Sequence, residues 1–232
     1  MDIIYQDKNL LAVDKPSGIN SDKELMEKLV KEFPQLKEVG ESPRYGLIHR
    51  LDKDTSGILL IAKDNKSLSF FQKQFKQREI EKKYIALVAG SIKSNEGIIK
   101  TLIGRDKKSI KQRVYLPSSP ESKRTGPRPA ETLWKVLKRY KKFTLIEASP
   151  KTGRKHQVRV HLAYIGHPVV GDKLYSFKNQ LCPKNLKRQF LHANELKIKL
   201  FNGQKKKFIS QLPKELKQIL RTIQKESSDR IN

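Results

Sequence analysis

A short polar segment of the chain brings together side chains that could carry out acid–base or nucleophilic chemistry. Residues 49–57, HRLDKDTSG, contain a histidine, an arginine and two aspartates, and they lie between the apolar runs 46–48 and 58–62. Both runs are short, bounded by glycine and typical of buried strands. Desolvating this much charge between core strands is costly unless each charge has a partner. We therefore expect a polar turn that holds one reactive side chain, Asp52, in a fixed position.

Asp52 is the candidate catalytic group of this turn. A catalytic carboxylate needs a protected cleft and a nearby cation that keeps it ionised. The segment RKHQVRVH supplies cations in Arg154 and Arg159, which we expect to project from a helix, and Tyr84 lies in an apolar strand. The alternative is a structural turn in which Asp54 binds backbone N–H groups and Asp52 is ion-paired. From the residues alone, both interpretations stay open.

The charge of the chain indicates a polyanionic partner. Its 232 residues contain 50 Lys and Arg against 24 Asp and Glu, a formal net charge of +26. A lysine coat without a binding role usually carries matching glutamates, so we expect nucleic acid as the partner. The alternative is a basic surface that is simply solvated. Residues 105–128, with eight Lys or Arg, are expected to form a basic mobile loop or distorted hairpin that contacts the nucleic-acid backbone.

Several common kinds of site have no sequence support. The chain has no glycine-rich phosphate-binding motif, CxxC pair or HExxH zinc motif, so we expect no metal and no cofactor. His156 and His161 are five residues apart, which places them on different faces of a helix and argues against a metal pair. The single cysteine, Cys182, excludes an intramolecular disulfide. Because no apolar segment is long enough for a signal peptide or a membrane span, we expect a soluble, cytoplasmic protein.

The pattern of apolar residues predicts strands first, with helices at irregular intervals. Strands are expected in a hairpin over residues 3–13, at 82–90, 97–104, 131–137 and 143–149, and from residue 190. Helices are expected after Ser21, whose spacing to Glu24 is typical of a capping box, and at residues 68–75, 153–166 and 213–224. No linker or repeat divides the chain. We therefore expect one domain over residues 1–232, of the α+β class, built on a central mixed, mainly antiparallel sheet with flanking helices.

Several segments resemble one family of RNA-modifying enzymes. HRLDKDTSG matches the HRLDxxTSG motif of the RluA-type pseudouridine synthases. The segments DKPSG, KKYIALV, PAETLWKV, PKTGRKHQVRVHLAYIGHPVVGD and LHANELKI are similar to corresponding parts of that family, in the same order, so the resemblance spans residues 2–200. It implies the pseudouridine synthase fold and an enzyme that isomerises a uridine of ribosomal or transfer RNA to pseudouridine without a cofactor.

The resemblance also implies roles for individual residues. The family's essential aspartate corresponds to Asp52, its base-stacking tyrosine to Tyr84, and its arginine that pairs with the aspartate to Arg159. Arg50 corresponds to the arginine that enters the RNA stack after the uridine is flipped out. Further RNA contacts are implied at His49, Arg154, Lys15 and Leu191, while for Arg154, Lys15 and His192 structural or backbone-contacting roles are favoured over chemical ones.

Other functions fit the residues less well. A non-catalytic RNA-binding or ribosome-assembly factor would not need an acidic residue in an anion-binding cleft. A glycosidase would need two cooperating carboxylates, and a nuclease a metal cage or a histidine pair. The chain begins close to the catalytic hairpin, so we expect no S4-type domain before it. Because no amphipathic surface is left unassigned, we also expect a monomer. RNA selection would then rest on the catalytic domain, the basic segment and the Lys-rich C-terminal segment.

Overall fold

The chain folds into strands and helices that form two compact units. The computed structural model describes residues 2–107, 109–116 and 126–228. Residues 227 and 228 are described by their backbone alone. Its helices are α1 (Glu24–Glu32), α2 (Asn65–Gln77), α3 (Gln157–Tyr164) and α4 (Lys214–Ser228). Its strands are β1 (Asp2–Gln6), β2 (Leu10–Lys15), β3 (Ser56–Ala62), β4 (Glu81–Ala89), β5 (Glu96–Arg105), β6 (Gln112–Tyr115), β7 (Arg128–Arg139), β8 (Phe143–Pro150), β9 (Leu191–Lys199) and β10 (Lys205–Ile209). One unit contains the described residues of 1–82 and 192–212, and the other those of 83–191 and 213–232.

The first unit is a mixed sheet in the strand order β1-β2-β3-β9-β10. Neighbouring strands are antiparallel except for the β3–β9 pair, which is parallel. All seven residues of β3 are buried, as its apolar sequence requires of a strand covered on both faces. Its core combines residues of β2, β3, β9 and β10 with Phe71 of α2. This core fixes the strand that immediately follows the HRLDKDTSG turn.

A glycine in that turn allows two strands to approach closely. Gly57 has a φ of +118°, and a Cβ atom at this position would lie 2.3 Å from the carbonyl oxygen of Ala193. Gly57 and Ala193 are paired in the parallel β3–β9 ladder. The position therefore requires glycine for both its backbone conformation and its packing.

The second unit is an antiparallel sheet in the order β4-β8-β7-β5-β6, with α3 packed against it. Val158 and Leu162 of α3 meet Trp134, Ile146 and Ala148 in one apolar cluster. Strand β6 pairs with β5 and lies within the predicted basic segment. Residues 108 and 117–125 of that segment lie outside the described residues.

The predicted α+β class and the mixed, mainly antiparallel pairing are confirmed, as are the β1–β2 hairpin and the four strands β4, β5, β7 and β8. Two predicted elements are shorter than expected. Residues 46–48 form only an isolated bridge, between Leu47 and Ile61. The helix expected at 153–166 starts at Gln157, because His156 takes the left-handed conformation with a φ of 56°. Strand β10 was not predicted.

The predicted capping box is wrong. Glu24 reaches back to the backbone N–H of Asn20, with Oε2 2.8 Å from that nitrogen. Ser21 makes no cap to α1 and is used elsewhere, because its buried hydroxyl binds the backbone of Leu51. The spacing of Ser21 indicated a helix cap, but its hydroxyl binds a residue distant in the sequence instead. In the described part of the chain, no helix is long and apolar enough to cross a membrane.

Candidate active site

Asp52 lies half-buried in the loop that leads into β3. The loop closes on itself where the N–H of Thr55 donates to the carbonyl oxygen of Asp52, at 3.1 Å. The residues on either side, Leu51 and Lys53, are held by Ser21, which follows β2, and by Lys15, the last residue of β2. The position of Asp52 is therefore set by hydrogen bonds to its two neighbours.

Ser21 holds the residue before Asp52. Its hydroxyl donates to the carbonyl oxygen of Leu51 at 2.9 Å and accepts the N–H of the same residue at 3.1 Å. Ser21 and Leu51 are 2% and 5% exposed, so water does not substitute for these two bonds. One buried hydroxyl thus satisfies both backbone groups of the residue adjoining the candidate catalytic carboxylate.

Lys15 holds the residue after Asp52. The ammonium group of this fully buried lysine donates to the carbonyl oxygens of Pro16, Ile19 and Lys53 at 2.8, 2.9 and 3.0 Å. The N–H of Gly18 donates to the carbonyl of Lys53 as well, at 2.9 Å. The buried ammonium of Lys15 therefore supports the loop backbone, and the RNA contact implied for this residue stays a prediction.

We expect Ser21→Ala to lower activity by loosening this loop. The substitution leaves the buried N–H and C=O of Leu51 without their hydroxyl partner, which costs about 1–3 kcal/mol of stability. Urea denaturation and single-turnover RNA modification rates would be measured together. Ser91→Ala, at an exposed serine, is the matched control and should change neither quantity. Wild-type values for Ser21→Ala in both measurements would contradict the proposed support of Asp52.

His49 contributes to the same loop as a neutral ring. Its Nε2 accepts the N–H of Leu60 at 3.1 Å, and the ring stacks on Phe75 with centroids 4.7 Å apart. Burial, and to a smaller extent the charge of Lys82, lowers the pKa of His49 to about 3. A neutral imidazole with its Nε2 bound to backbone anchors the turn to β3, and the RNA contact implied for His49 stays a prediction.

Arg50 lies on the surface beside the same loop. Its side chain is 58% exposed, and Nη1 lies 3.0 Å from Oδ2 of Asp22. An exposed ion pair of this kind is weak, so the guanidinium can exchange Asp22 for an RNA group at little cost. His192 instead lies in the interior, with Nδ1 2.9 Å from Oγ of Ser56 and Nε2 3.1 Å from Oγ of Ser210.

Arg159 forms a buried ion pair in the second unit. Its Nε and Nη2 donate to the two carboxylate oxygens of Asp172 at 2.6 and 2.9 Å, and both residues are buried. The ring of Tyr175 covers the guanidinium, 5.1 Å from Cζ. Arg159 extends from α3, as expected, but its side chain is buried.

Asp172 was not among the site residues expected from the sequence. Burial raises the pKa of Asp172, but the hydrogen bond and charge of Arg159, with the N–H groups of Leu174 and Tyr175, bring it below the ordinary value of 3.8. The carboxylate is thus ionised and fixes the guanidinium in one orientation. No local pattern indicated this carboxylate, because the burial of Arg159, which requires a buried anion, is a property of the tertiary fold.

The remaining predicted site residues of the second unit occupy separate positions. Arg154 precedes α3 instead of projecting from it, and its Nε donates to the carbonyl of Pro129 at 3.1 Å. Tyr84 is half-buried in β4, opposite Ala148 of β8. Leu191 is 3% exposed and packs in the apolar core, and the RNA contact implied for it stays a prediction.

A buried polar cluster in the second unit contains a further histidine. His161 is fully buried, with Nε2 3.0 Å from Oγ1 of Thr101 and Nδ1 2.8 Å from Oγ1 of Thr132. Burial lowers its pKa from the ordinary 6.5 to about 4. Within the described residues, no group of three or more His, Cys, Asp and Glu side chains could hold a metal ion.

The pH dependence of stability should report the neutral state of His161. Because its pKa is lower in the folded protein than in the unfolded chain, the stabilisation is complete above pH 6.5 and is lost as the pH falls towards 4. The loss at pH 5 is about 2 kcal/mol. Urea denaturation at pH 7.5 and 5 should show a smaller pH-dependent drop in His161→Gln than in the wild type. Equal drops would contradict the contribution of His161.

Comparison with known proteins identifies the family. The family model described as RNA pseudouridylate synthase matches residues 9–164. The chain belongs to the RNA pseudouridylate synthase family. The matched range contains Asp52, Tyr84 and Arg159, whereas Asp172 lies beyond its end.

Relatives in the pseudouridine synthase family cover nearly the whole chain. The chain is 36% identical to ribosomal large subunit pseudouridine synthase D of Borreliella burgdorferi, over 99% of this chain and 70% of the relative. It is 33% identical to ribosomal large subunit pseudouridine synthase C of Pasteurella multocida, over 97% and 69%, and 34% identical to synthase D of Nitrosomonas europaea, over 95% and 64%. The chain thus spans about two thirds of the length of these relatives.

Solved pseudouridine synthase structures share the fold. Human RNA pseudouridylate synthase domain containing 1 superimposes with a TM-score of 0.75 at 26% identity, over 96% of this chain and 94% of that chain. Human RNA pseudouridylate synthase domain containing 4 gives a TM-score of 0.75 at 25% identity, over 96% and 92%. Both support the pseudouridine synthase fold predicted from the motifs.

Proposed function

We propose that this family member isomerises specific uridines of large-subunit ribosomal RNA to pseudouridine. The observation that carries the proposal is the complete HRLDKDTSG turn inside the family match, with Asp52 between two residues whose backbone is anchored. Relatives named ribosomal large subunit pseudouridine synthase support ribosomal RNA as the substrate. We propose that residues 1–232 act as one catalytic domain, as a cytoplasmic monomer.

In the proposed reaction, the carboxylate of Asp52 promotes cleavage of the bond between N1 of uracil and C1′ of ribose. The uracil then turns, C5 joins C1′, the proton on C5 leaves and N1 takes up a proton. Atoms and electrons balance without an oxidant or a leaving group, so the chemistry needs no cofactor. Stacked RNA hides the N1–C1′ bond, and the uridine must be flipped out at a cost of a few kcal/mol.

The other proposed roles concern the flipped uridine and the RNA around it. Tyr84 packs on the uracil ring, and Arg50 enters the space that the base has left. Arg159 is a fixed positive charge for the catalytic carboxylate, and its orientation depends on Asp172. The exposure of Arg50 and the burial of Arg159 suit these two roles, because one side chain must move into RNA and the other must stay in place.

The test compares pseudouridine in ribosomal and transfer RNA from cells with and without the gene, mapped by carbodiimide labelling and primer extension. We expect one or a few sites in large-subunit ribosomal RNA to vanish on deletion and return when the gene is restored. Loss confined to transfer RNA would overturn the proposed substrate. If every site survived deletion, and purified protein bound RNA without modifying it, a non-catalytic RNA-binding factor would be the better assignment.

A further inference from the structure

The outer face of α4 carries a row of cations that the proposed reaction does not use. Lys214, Lys217, Arg221 and Lys225 are all exposed, and with Gln218 and Thr222 they line an open groove. Their spacings of three and four residues keep them on one side of the helix. At the rise of an α-helix the row extends over about 16 Å. We call these four residues the α4 cationic row.

The opposite face of α4 holds this row in a fixed direction. Leu216, Ile219 and Ile223 are 0%, 4% and 2% exposed, so the helix is anchored along its buried side. The cations are therefore carried by a rigid element, and a partner does not have to order the backbone that presents them. Binding through a preordered surface loses less conformational entropy than binding through a flexible tail.

Nearby charges leave the row strongly positive. Glu215 of α4 is bound by Arg188, with Nη2 2.9 Å from Oε1, so its charge is compensated within the unit. Lys138 of β7 adds a further ammonium beside the helix, because its Nζ lies 3.0 Å from Oε1 of Gln224. Glu226, near the end of the helix, is the other acidic residue in the α4 sequence.

The composition of the helix selects the kind of polyanion. Proteins that bind single-stranded nucleic acid combine positive charge with aromatic side chains on which the bases stack. The α4 sequence KELKQILRTIQKESS contains no aromatic residue, so its outer face can contact phosphates but offers no ring to a base. A continuous ridge of phosphates with its bases turned inwards is the surface of a duplex.

We propose that the α4 cationic row binds the phosphate backbone of a duplex segment in the substrate RNA. This inference rests on the proposed function for the identity of the RNA. The contact is to phosphates, so it would position the RNA without reading its base sequence. Such a contact is equally strong before and during the reaction. Losing it should raise KM and leave kcat unchanged.

Duplex binding can be tested without any uridine. The probe is a fluorescein-labelled 16-base-pair RNA duplex made only of G and C, titrated by fluorescence anisotropy between 50 and 200 mM salt. The variant Lys217→Glu/Arg221→Glu is compared with Lys28→Glu/Lys31→Glu, which makes the same charge change at exposed positions of α1. We expect the α4 variant to raise Kd about 10-fold and to reduce the salt slope by about two. The α1 control should change Kd less than about 2-fold.

The outcomes separate the row from the general charge of the protein. Equal losses in the α4 and α1 variants would overturn the proposal in favour of a diffuse effect of net charge. Unchanged duplex binding in the α4 variant would overturn it too and would leave an acidic protein as the partner to seek. Oligo(A) of the same length tests the kind of RNA, since equal losses on oligo(A) and on the duplex would overturn the assignment to a duplex.

Activity on a ribosomal RNA transcript provides an independent measurement. The α4 variant should raise KM about 10-fold, by the same phosphate contacts, with kcat unchanged. A lower kcat at an unchanged KM would contradict a binding role. Lys217→Gln/Arg221→Gln removes the charges without adding carboxylates and should give smaller shifts in the same direction. If the wild type forms no pseudouridine, the proposed function fails, yet the G–C duplex still decides whether the row binds RNA.

Discussion

Asp52→Asn is expected to abolish pseudouridine formation and leave the fold intact. The change removes the negative charge, replaces one carboxylate oxygen by an amide nitrogen and keeps the size of the side chain. The anchors described for the loop act on the backbone of Leu51 and Lys53, and the substitution does not remove them. We expect a fall of at least about 10³-fold in the single-turnover rate. Tritium release from RNA labelled at C5 of uridine would measure it.

The neighbouring carboxylate provides the control for this prediction. Asp54→Asn makes the same chemical change two residues further along the turn and should keep activity within about 10-fold. Thermal unfolding of both variants would show whether the turn is intact. Activity of Asp52→Asn within 10-fold of the wild type would refute its catalytic role, while equal losses of activity and stability in both variants would indicate collapse of the turn.

Among the variants described, Asp172→Asn is expected to lower the free energy of unfolding the most. The substitution removes the charge of the carboxylate to which Nε and Nη2 of the buried Arg159 donate, and removing one partner of a buried ion pair costs about 3–5 kcal/mol. Asparagine keeps one side-chain oxygen that can still accept the N–H groups of Leu174 and Tyr175, so the expected loss comes from the missing negative charge beside Arg159. Urea denaturation at pH 7.5 would measure the free energy of unfolding.

An exposed pair supplies the matched control. Glu131→Gln removes the carboxylate that lies 3.7 Å from Nζ of Lys100, where the two side chains are 37% and 69% exposed. Exposed pairs contribute about 0–1 kcal/mol, so this variant should unfold at nearly the wild-type urea concentration. A cost below 1 kcal/mol for Asp172→Asn would mean that the protein does not depend on this carboxylate to hold Arg159.

The sequence predicted elements whose periodicity is local. Strand β3 was evident from its run of apolar residues, which matches its complete burial. Helix α2 was evident because Leu68, Phe71 and Phe75 mark one face. Strand β10, Lys-Lys-Lys-Phe-Ile, gave no such signal. It is a strand because its residues pair antiparallel with β9, and a partner distant in the chain overrides weak local preference.

The chemistry-bearing motif was predicted, whereas its support was not. Asp52 was evident from the charge concentrated between apolar runs, but nothing local indicates that Ser21 binds a backbone 30 residues away. The same holds for Lys15, whose ammonium reaches Lys53 across 38 residues, and for Asp172, whose partner lies 13 residues before it. A local motif can indicate a candidate reactive group such as Asp52. The groups that support it come from distant parts of the chain and are brought to it only by the tertiary fold.

The hydrogen bonds around Asp52 also set the order in which the site can form. Ser21 and Lys15 bind Leu51 and Lys53 across separations of 30 and 38 residues, so closing these contacts follows the docking of the segment after β2 onto the turn. The turn cannot acquire its final geometry from local residues alone. Partial opening of residues 15–21 would therefore release the backbone on both sides of Asp52 together, and the catalytic geometry and this segment form one cooperative unit.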